Sequence, residues 1–425
     1  MNQSQNVTEY GNDRAMRVLF LSQYFYPEQF SNNGLAAELV KRGHNVTAIT
    51  CVPNYPEGKF FPGYTNHQKR FETWKGVDIR RAWTVARGRT KLQLIANYLV
   101  YPFAAFWQIV KIGQPRGDVS FVSMPSPLSQ ALAGVFAKKL WGLPTVYWVQ
   151  DIWPETVQYL LGLQEGPILK LLDRICGWLY RQADLILVQS AAMPEMILRH
   201  GVDPSRIKVL PNTAPSFFRP LSAESAHAVA REIDTDRFVV LFAGNIGESQ
   251  GLSVLVEAAS QLDEDDDTLF VLVGDGRARA DLEDEIVARG LSDRFHFCGR
   301  HPETLMPDFF AQADALFASL QEAPNFALTV PYKIQTYMAC GKPIIGALTG
   351  EGARILQESG AGVASPPGDA NGIIESIRAL RALKSTERIQ MGNRASQYFE
   401  ANFSNRVVFD TLEQALQDAK AGVRQ

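Results

Sequence analysis

Residues 17–50, RVLFLSQYFYPEQFSNNGLAAELVKRGHNVTAIT, decide the fold class. RVLFLS (17–22) is an apolar, β-branched and aromatic run with the length of a buried strand. Leu35, Ala36, Leu39 and Val40 then recur at helical spacing, Arg42-Gly43-His44 makes a turn, and NVTAIT (45–50) reads as a second strand. A strand, helix and strand in that order predict two parallel strands joined by a helical crossover, and parallel sheets carry helices on their faces. His44, in the helix-to-strand turn, reads as structural.

The same alternation continues outward. DIRRAW, DVSFVS, TVYWV, DLILV and IKVL are further strand candidates, with helical patterns over 91–111, 128–141, 166–182 and 191–200. Pro211, Pro215 and Pro220 interrupt the rhythm, which marks 213–236 as a linker. It then restarts: RFVVLFAGN runs as a strand into a turn, and Leu252, Leu255, Val256, Ala259 and Leu262 share one helical face. TLFVLVGDG, FHFCG, ADALFAS and KPIIGAL follow as strands, and Ile373, Ile374, Ile377 and Leu380 mark a late helix. The expectation is an α/β protein of two Rossmann-like, doubly wound domains, 16–212 and 237–400. Their sheets face each other by their carboxyl ends across a cleft.

Composition agrees with a cored protein of two or three domains: 425 residues, 46% apolar and 20% charged. A formal net charge of −3 gives no whole-chain argument for a nucleic-acid partner, and none is expected. Cys51, Cys176, Cys298 and Cys340 are scattered without ligand spacing and read as buried thiols in a reducing compartment, with no metal expected. Residues 1–15 are polar, lack an apolar signal region and are expected to form a disordered arm. The acidic run Asp263–Asp267 reads as a solvated turn.

Chemistry in such a cleft would come from strand-end loops. Ala243-Gly244-Asn245-Ile246-Gly247 ends a strand, and Gln250-Gly251 leads into a helix. Small residues there let backbone N–H groups approach an anion beside a helix N-terminus, although strand-to-helix turns use glycine anyway. Gly274-Asp275-Gly276 is a similar turn, whose aspartate reads equally as a helix cap. The densest constellation is Ser319-Leu-Gln-Glu322, followed by Pro331-Tyr332-Lys333-Ile-Gln-Thr336-Tyr-Met-Ala-Cys-Gly341-Lys-Pro343. Its carboxylate can hold sugar hydroxyls, and its lysine can neutralise phosphate as a point charge.

At these residues the chain resembles a known family. ASLQEAPNF…YMACGKPII is similar to the donor-site signature of family 4 glycosyltransferases, which have the GT-B fold. GNIGESQGLSVLVEAA, VGDGRARADLE and FCGRHPETLMPDFFAQADALFASL match further blocks in order and spacing. RGHNVTAIT, WVQDIWPETV and ADLILVQS…VLPNTA match the first half. The likeness runs from about Met16 to Phe403 and is specific because several blocks agree. QYFYPE, VPNYPEGKF and QDIWPE point to transferases of bacterial O-antigen, capsule and colanic-acid assembly.

The resemblance implies an acceptor-binding first domain and a second domain that holds a nucleotide-sugar, with UDP the expected carrier. It implies retention at the anomeric carbon, no metal and no cofactor beyond the donor. It implies that 401–425 crosses back onto the first domain. The expected sugar is N-acetylated or deoxy, and the acceptor is a glycan or an undecaprenyl-diphosphate-linked precursor. This chain departs from the family pattern in its charges. Asn245 and Gln250 stand where an arginine and a lysine usually hold the diphosphate, which shifts that burden to Lys333, Arg300 and helix N-termini. Glu322 fits the first of a usual glutamate pair, and Thr336 replaces the second.

In the first domain, Asp151 and Glu155 of QDIWPE are the candidates for orienting the donor sugar or an acceptor hydroxyl, and Asp151 serves equally as a helix N-cap. Loops Tyr24–Glu28 and Val52–Phe61 should lie over the acceptor. Glu28 and Asn54 are candidates for hydroxyls and Tyr55 and Phe60 for stacking, or these aromatics pack the loop down. Between Asp78 and Asp118 there is no acid but seven cations, Arg80, Arg81, Arg87, Arg89, Lys91, Lys111 and Arg116. They flank LQLIANYLVYPFAAFWQIV, too interrupted by polar residues and Pro102 to read as a spanning helix. Residues 80–116 read either as a plain buried helix or as one lying on the cytoplasmic face of the inner membrane. Two rival functions are a nucleotide-sugar epimerase of the same architecture and a non-catalytic scaffold.

Overall fold

The computed structural model describes residues 15–88, 90–113, 117–162, 164–233 and 235–422. Residues 1–14 of the arm expected over 1–15, together with Arg89 and Arg116, lie outside them.

The first sheet contains β1 (Arg17–Leu21), β2 (Asn45–Thr50), β3 (Phe71–Trp74), β4 (Val77–Arg81), β5 (Val119–Met124), β6 (Thr145–Val149), β7 (Leu185–Val188) and β8 (Ile207–Val209). Its order is β3-β4-β2-β1-β5-β6-β7-β8, parallel throughout except for β3. Register follows the apolar pattern, with Val18 opposite both Val46 and Val119. The second sheet contains β9 (Val239–Ala243), β10 (Leu269–Val273), β11 (Phe295–Gly299), β12 (Ala315–Ser319), β13 (Ile344–Ala347) and β14 (Gly362–Ser365). It is wholly parallel in the order β11-β10-β9-β12-β13-β14. Chain order reverses between β1 and β5 in one sheet and between β9 and β12 in the other. At such switch points the loops diverge and leave a crevice.

Strand β3 escapes the sequence reading. It forms a hairpin with β4 through Lys75-Gly76, both at positive φ (47° and 80°). Two-residue hairpin turns need that conformation, and Lys-Gly signals it less clearly than Asn-Gly. Short edge strand β14 was also not anticipated. Helix α1 (Ser31–Lys41) is the first crossover. Helices α2 (Lys91–Ile112), α3 (Ala131–Trp141), α4 (Glu155–Leu161) and α5 (Pro167–Gln182) follow. A capping box of Thr90 and Gln93 starts α2. Among the described residues no helix is long and apolar enough to cross a membrane.

Each sheet is buried on both faces. Beneath the first, Tyr101, Ala105 and Ile109 of α2 share a core with Cys176 and Leu179 of α5. Its opposite face is covered by α1 and by the helix Asn405–Gly422, whose Val408, Leu412, Ala415 and Leu416 pack among Phe20, Phe121 and Trp148. The chain gets there by way of the helix Ser385–Asn402, which places Ala395 and Phe399 in the second unit's core. Arg42 holds the final helix through Asp410 (2.7 Å) and Glu413 (3.0 Å), and buried His44 faces Glu413 at 3.4 Å. His44 Nδ1 also accepts from the Met16 amide, so its role is structural.

Because Leu412 is wholly buried in the first unit's core, Leu412→Ala is expected to cost about 2–5 kcal/mol. Native-state hydrogen exchange should locate the loss in the amides of β1, β5 and β6.

Candidate functional site

The second unit's switch point is built from three turns with almost no side-chain bulk. Gly244 follows β9 at φ 136° and Gly274 follows β10 at φ 143°. A Cβ on Gly274 would lie 1.9 Å from the Gly244 carbonyl oxygen, so only glycine permits this approach. The Gly244 amide donates to Val273 O (2.9 Å) and the Gly274 amide to Gly299 O (2.7 Å), tying the ends of β9, β10 and β11 together.

Lys333 reaches this layer from the first turn of the helix Tyr332–Ala339. Its Nζ donates to Gln250 Oε1 at 2.6 Å and lies 4.8 Å from the centre of the Phe242 ring. A Cβ on Gly244 would meet Lys333 Cε at 3.0 Å. Burial depresses the lysine to about 8, and the hydrogen-bond partner is a neutral amide. Gln250, which stands where the family usually has a cation, therefore orients one instead. Its own carbonyl accepts from Ser319 Oγ at 2.6 Å, fixing the turn to the end of β12.

The other candidates on this side fall further out. Thr336 is buried, and its hydroxyl donates to Lys333 O at 3.1 Å within the helix. Asn245 lies exposed beside Gly247, and Glu322 is exposed in the loop after β12. Arg300 is exposed just beyond β11, whose last residue, Gly299, accepts from the Gly274 amide.

The loops after β1 and β2 come together as expected, but their polar residues serve the loops themselves. Glu28 is buried, and its carboxylate accepts from the amides of Asn54 (2.7 Å), Tyr55 (2.8 Å) and Phe25 (3.3 Å). Burial pushes its carboxyl up to about 7 against the pull of those amides. Asn54 is likewise enclosed, donating to Val52 O and accepting from the Arg87 amide. Neither side chain is open to a sugar, which corrects the expectation that they bind hydroxyls directly. Tyr55 is partly exposed beside Tyr24 and Phe30, with the Arg87 guanidinium 5.3 Å from its ring centre, and Phe60 is half-buried. The basic stretch is corrected too: Arg81 is fully buried against Glu72 and donates to Cys51 O and Tyr26 O.

Between the units lies a cavity of about 250 Å³. Asp151, Thr156 and Gln189 line it from the first unit, and Asn325, Phe326 and Tyr332 from the second. Asp151 follows β6, bonds Ser126, and is pushed by burial up to about 7. Ser126 holds φ 151°, outside the usual range for a residue with a side chain, and its Oγ accepts from Trp153 Nε1 at 3.3 Å. Glu155 is not on this cavity. It begins α4 and pairs with Arg199, so the structure assigns the two acids of QDIWPE to different surroundings.

Sequence reasoning missed the polar seam beside Asp151. Asn212 Nδ2 donates to Gln150 Oε1 (3.0 Å), Gln189 Nε2 to Gln150 O (2.8 Å), and Gln335 Nε2 to Asn212 O (2.9 Å), joining the units. Asn212 Oδ1 and Asn325 Oδ1 are buried without a hydrogen-bond partner. The signal was available: Gln150, Gln189 and Asn212 each stand just beyond the end of β6, β7 or β8. Ser190 Oγ donating to Leu328 O (2.5 Å) and the Ala191 amide donating to Glu351 (3.2 Å) complete the seam. Among the described residues no three His, Cys, Asp or Glu side chains converge as metal ligands.

Comparison with known proteins accounts for both halves. The model described as glycosyl transferase 4-like domain matches residues 31–213, and the one described as glycosyl transferases group 1 matches 237–382. WcaI of Escherichia coli K12, named for colanic acid biosynthesis glycosyl transfer, is 24% identical over 66% of this chain and 71% of its own length. The α-D-kanosaminyltransferase of Streptomyces kanamyceticus is 26% identical over 57% of this chain, an alignment that takes in 64% of that relative. Among solved structures, HepE of Anabaena in complex with UDP superposes with a TM-score of 0.70 at 16% identity, covering 95% of this chain and 100% of that one. WaaG, a glycosyltransferase of lipopolysaccharide biosynthesis, gives 0.65 at 16% identity, covering 94% and 99%. With one family model on each doubly wound unit and the cleft between them, the chain belongs to the glycosyltransferases of the GT-B fold.

Proposed function

We propose that the protein moves a sugar, N-acetylated or deoxy, from a UDP-sugar to a lipid-linked precursor of a bacterial surface polysaccharide, with retention at the anomeric carbon and without a metal. The observation that carries this reading is the buried amine of Lys333, held beside Gly244 with only a neutral amide as hydrogen-bond partner. An ammonium ion desolvated without a carboxylate is unfavourable, and an incoming anion relieves that cost. A diphosphate would lie against the glycine turns there. Charge that grows on the departing nucleotide would find a fixed cation in a water-poor site.

Asp151 faces the same cleft from the first unit and is proposed to orient the sugar or the attacking hydroxyl. Glu322 would hold sugar hydroxyls from the exposed loop, and Tyr55 would stack on the acceptor. UDP is favoured as carrier because a structural neighbour, HepE, is described with UDP and with UDP-glucose. A surface polysaccharide is favoured because WcaI is named for colanic acid. The same reading puts the protein at the cytoplasmic face of the inner membrane, with helix α2 toward lipid.

Thermal melting with UDP, GDP or dTDP and no added metal is the first test. At a hundredfold excess over Kd, the cognate nucleotide should stabilise the fold by about 2.7 kcal/mol. A response to GDP or dTDP alone would replace UDP as the carrier, and no response to any would support the scaffold reading. An epimerase would be exposed by a new nucleotide-sugar formed from donor alone.

Lys333→Met should weaken nucleotide binding by about 1.5–3 kcal/mol, roughly tenfold to hundredfold, measured by calorimetry. The pH dependence has two limbs. Asp151, pushed up to about 7, is neutral below that pH and ionised above it, whereas Lys333, depressed to about 8, is charged below that pH. A plot of kcat/KM should therefore rise near 7 and fall near 8. Asp151→Asn should remove the rising limb and leave the falling one.

A further inference from the structure

The layer of α2, α3 and α5 has an outer side unlike the rest of the surface. Leu99, Phe103 and Trp107 of α2 follow one another at four-residue spacing and face solvent, Trp107 with 62% of its surface exposed. On α5, Ile168, Leu171 and Ile175 form a second such row, Ile168 being 74% exposed. Both helices bury their opposite faces in one core, with α3 packed between them, so the two rows share one side of the molecule. Lone exposed apolar residues are ordinary, but two aligned rows on neighbouring helices are not.

Charge distinguishes the same layer. The three helices carry seven Lys and Arg residues and one acid, Asp173, within a chain of net charge −3. Asp173 is itself occupied, lying 3.6 Å from Arg199 and 3.9 Å from His200, and of the seven cations Lys138 is paired with Asp184 at 2.7 Å. Beside α2, a groove of about 550 Å³ is lined by Trp83, Phe103 and Trp107, with Arg70 and Lys111 among its walls. Apolar rows flanked by long basic side chains match a bilayer, where the rows enter the interfacial region and the cations remain at phosphate level.

We infer that the outer side of the whole α2–α3–α5 layer is a docking surface for an anionic lipid bilayer. The inference rests on the proposed lipid-linked acceptor and extends it from one helix to a plane. A second copy of the chain is the poorer occupant, because a two-fold contact would set this cationic layer against itself. The placement also serves the acceptor. Helix α2 begins a few residues after Arg87, which lies against Tyr55, so a bilayer on this side meets the molecule next to the acceptor loops.

Flotation of the full chain with vesicles of phosphatidylglycerol and phosphatidylcholine, against phosphatidylcholine alone, tests this. The protein should float with the anionic vesicles and be released by salt. The double variants Leu99→Glu/Trp107→Glu in α2 and Ile168→Glu/Ile175→Glu in α5 change solvent-facing positions. Both should keep the wild-type melting midpoint and UDP response, and each should lower partitioning by about tenfold or more. Wild-type partitioning by the α5 variant alone would confine contact to α2 and overturn the inference while leaving the membrane reading intact. No flotation of the wild type at low salt would overturn both. Equal binding to phosphatidylcholine would refute the role of charge, and a dimer in light scattering that the α5 variant dissolves would assign the face to a second copy.

Discussion

The ends of β9 and β10 approach so closely that no side-chain atom fits between Gly244 and Gly274, and the candidate donor site follows from that constraint. With three turns drawn into one thin layer, the space beside Gly244 admits the Lys333 stem. The lysine's amine then sits at the level of the backbone, dehydrated and held by Gln250. Of the two residues that depart from the family's charge pattern, Gln250 thus holds this cation, while Asn245 lies apart beside Gly247. A site with one buried ammonium in place of several exposed ones has less charge, but solvent and salt screen it less.

Across the cleft, the first unit answers with an acid in a comparable state. Asp151 and Lys333 are both desolvated, and burial moves their proton affinities toward each other, to about 7 and about 8. Groups so placed change charge readily when a ligand changes their surroundings. The seam of Gln150, Gln189, Asn212 and Gln335 beside them is neutral, so it can set how the units meet without competing for either charge.

The sequence was legible where physics is local. Buried parallel strands read directly as apolar runs, and β1, β5, β6, β9 and β12 stand where periodicity put them. Hairpin strand β3 was lost because Phe71, Thr73 and their neighbours alternate weakly and Lys-Gly is an uncommon turn. The site was legible by type of residue rather than by its surroundings. Glu28 and Asn54 look like ligands in a string of letters, and only the fold reveals that backbone amides already occupy them. Arg81 shows the same limit: counted as surface charge, it proves to be an interior residue paired with Glu72. Gln150, Gln189 and Asn212 went unnoticed for the opposite reason, since they lie scattered along the chain and converge only when β6, β7 and β8 line up.

The helix Asn405–Gly422 completes the core of the first unit, yet it is synthesised only after the whole second unit. While the ribosome is still making residues 237–402, Phe20, Phe121 and Trp148 lack the cover that Leu412 and Leu416 will provide. The first unit therefore emerges with an apolar sheet face bare and waits for its missing helix through the synthesis of another domain. For that interval the nascent chain is a natural client for chaperones that shield apolar surface, and the order of translation makes the last helix to appear the one that seals the first domain.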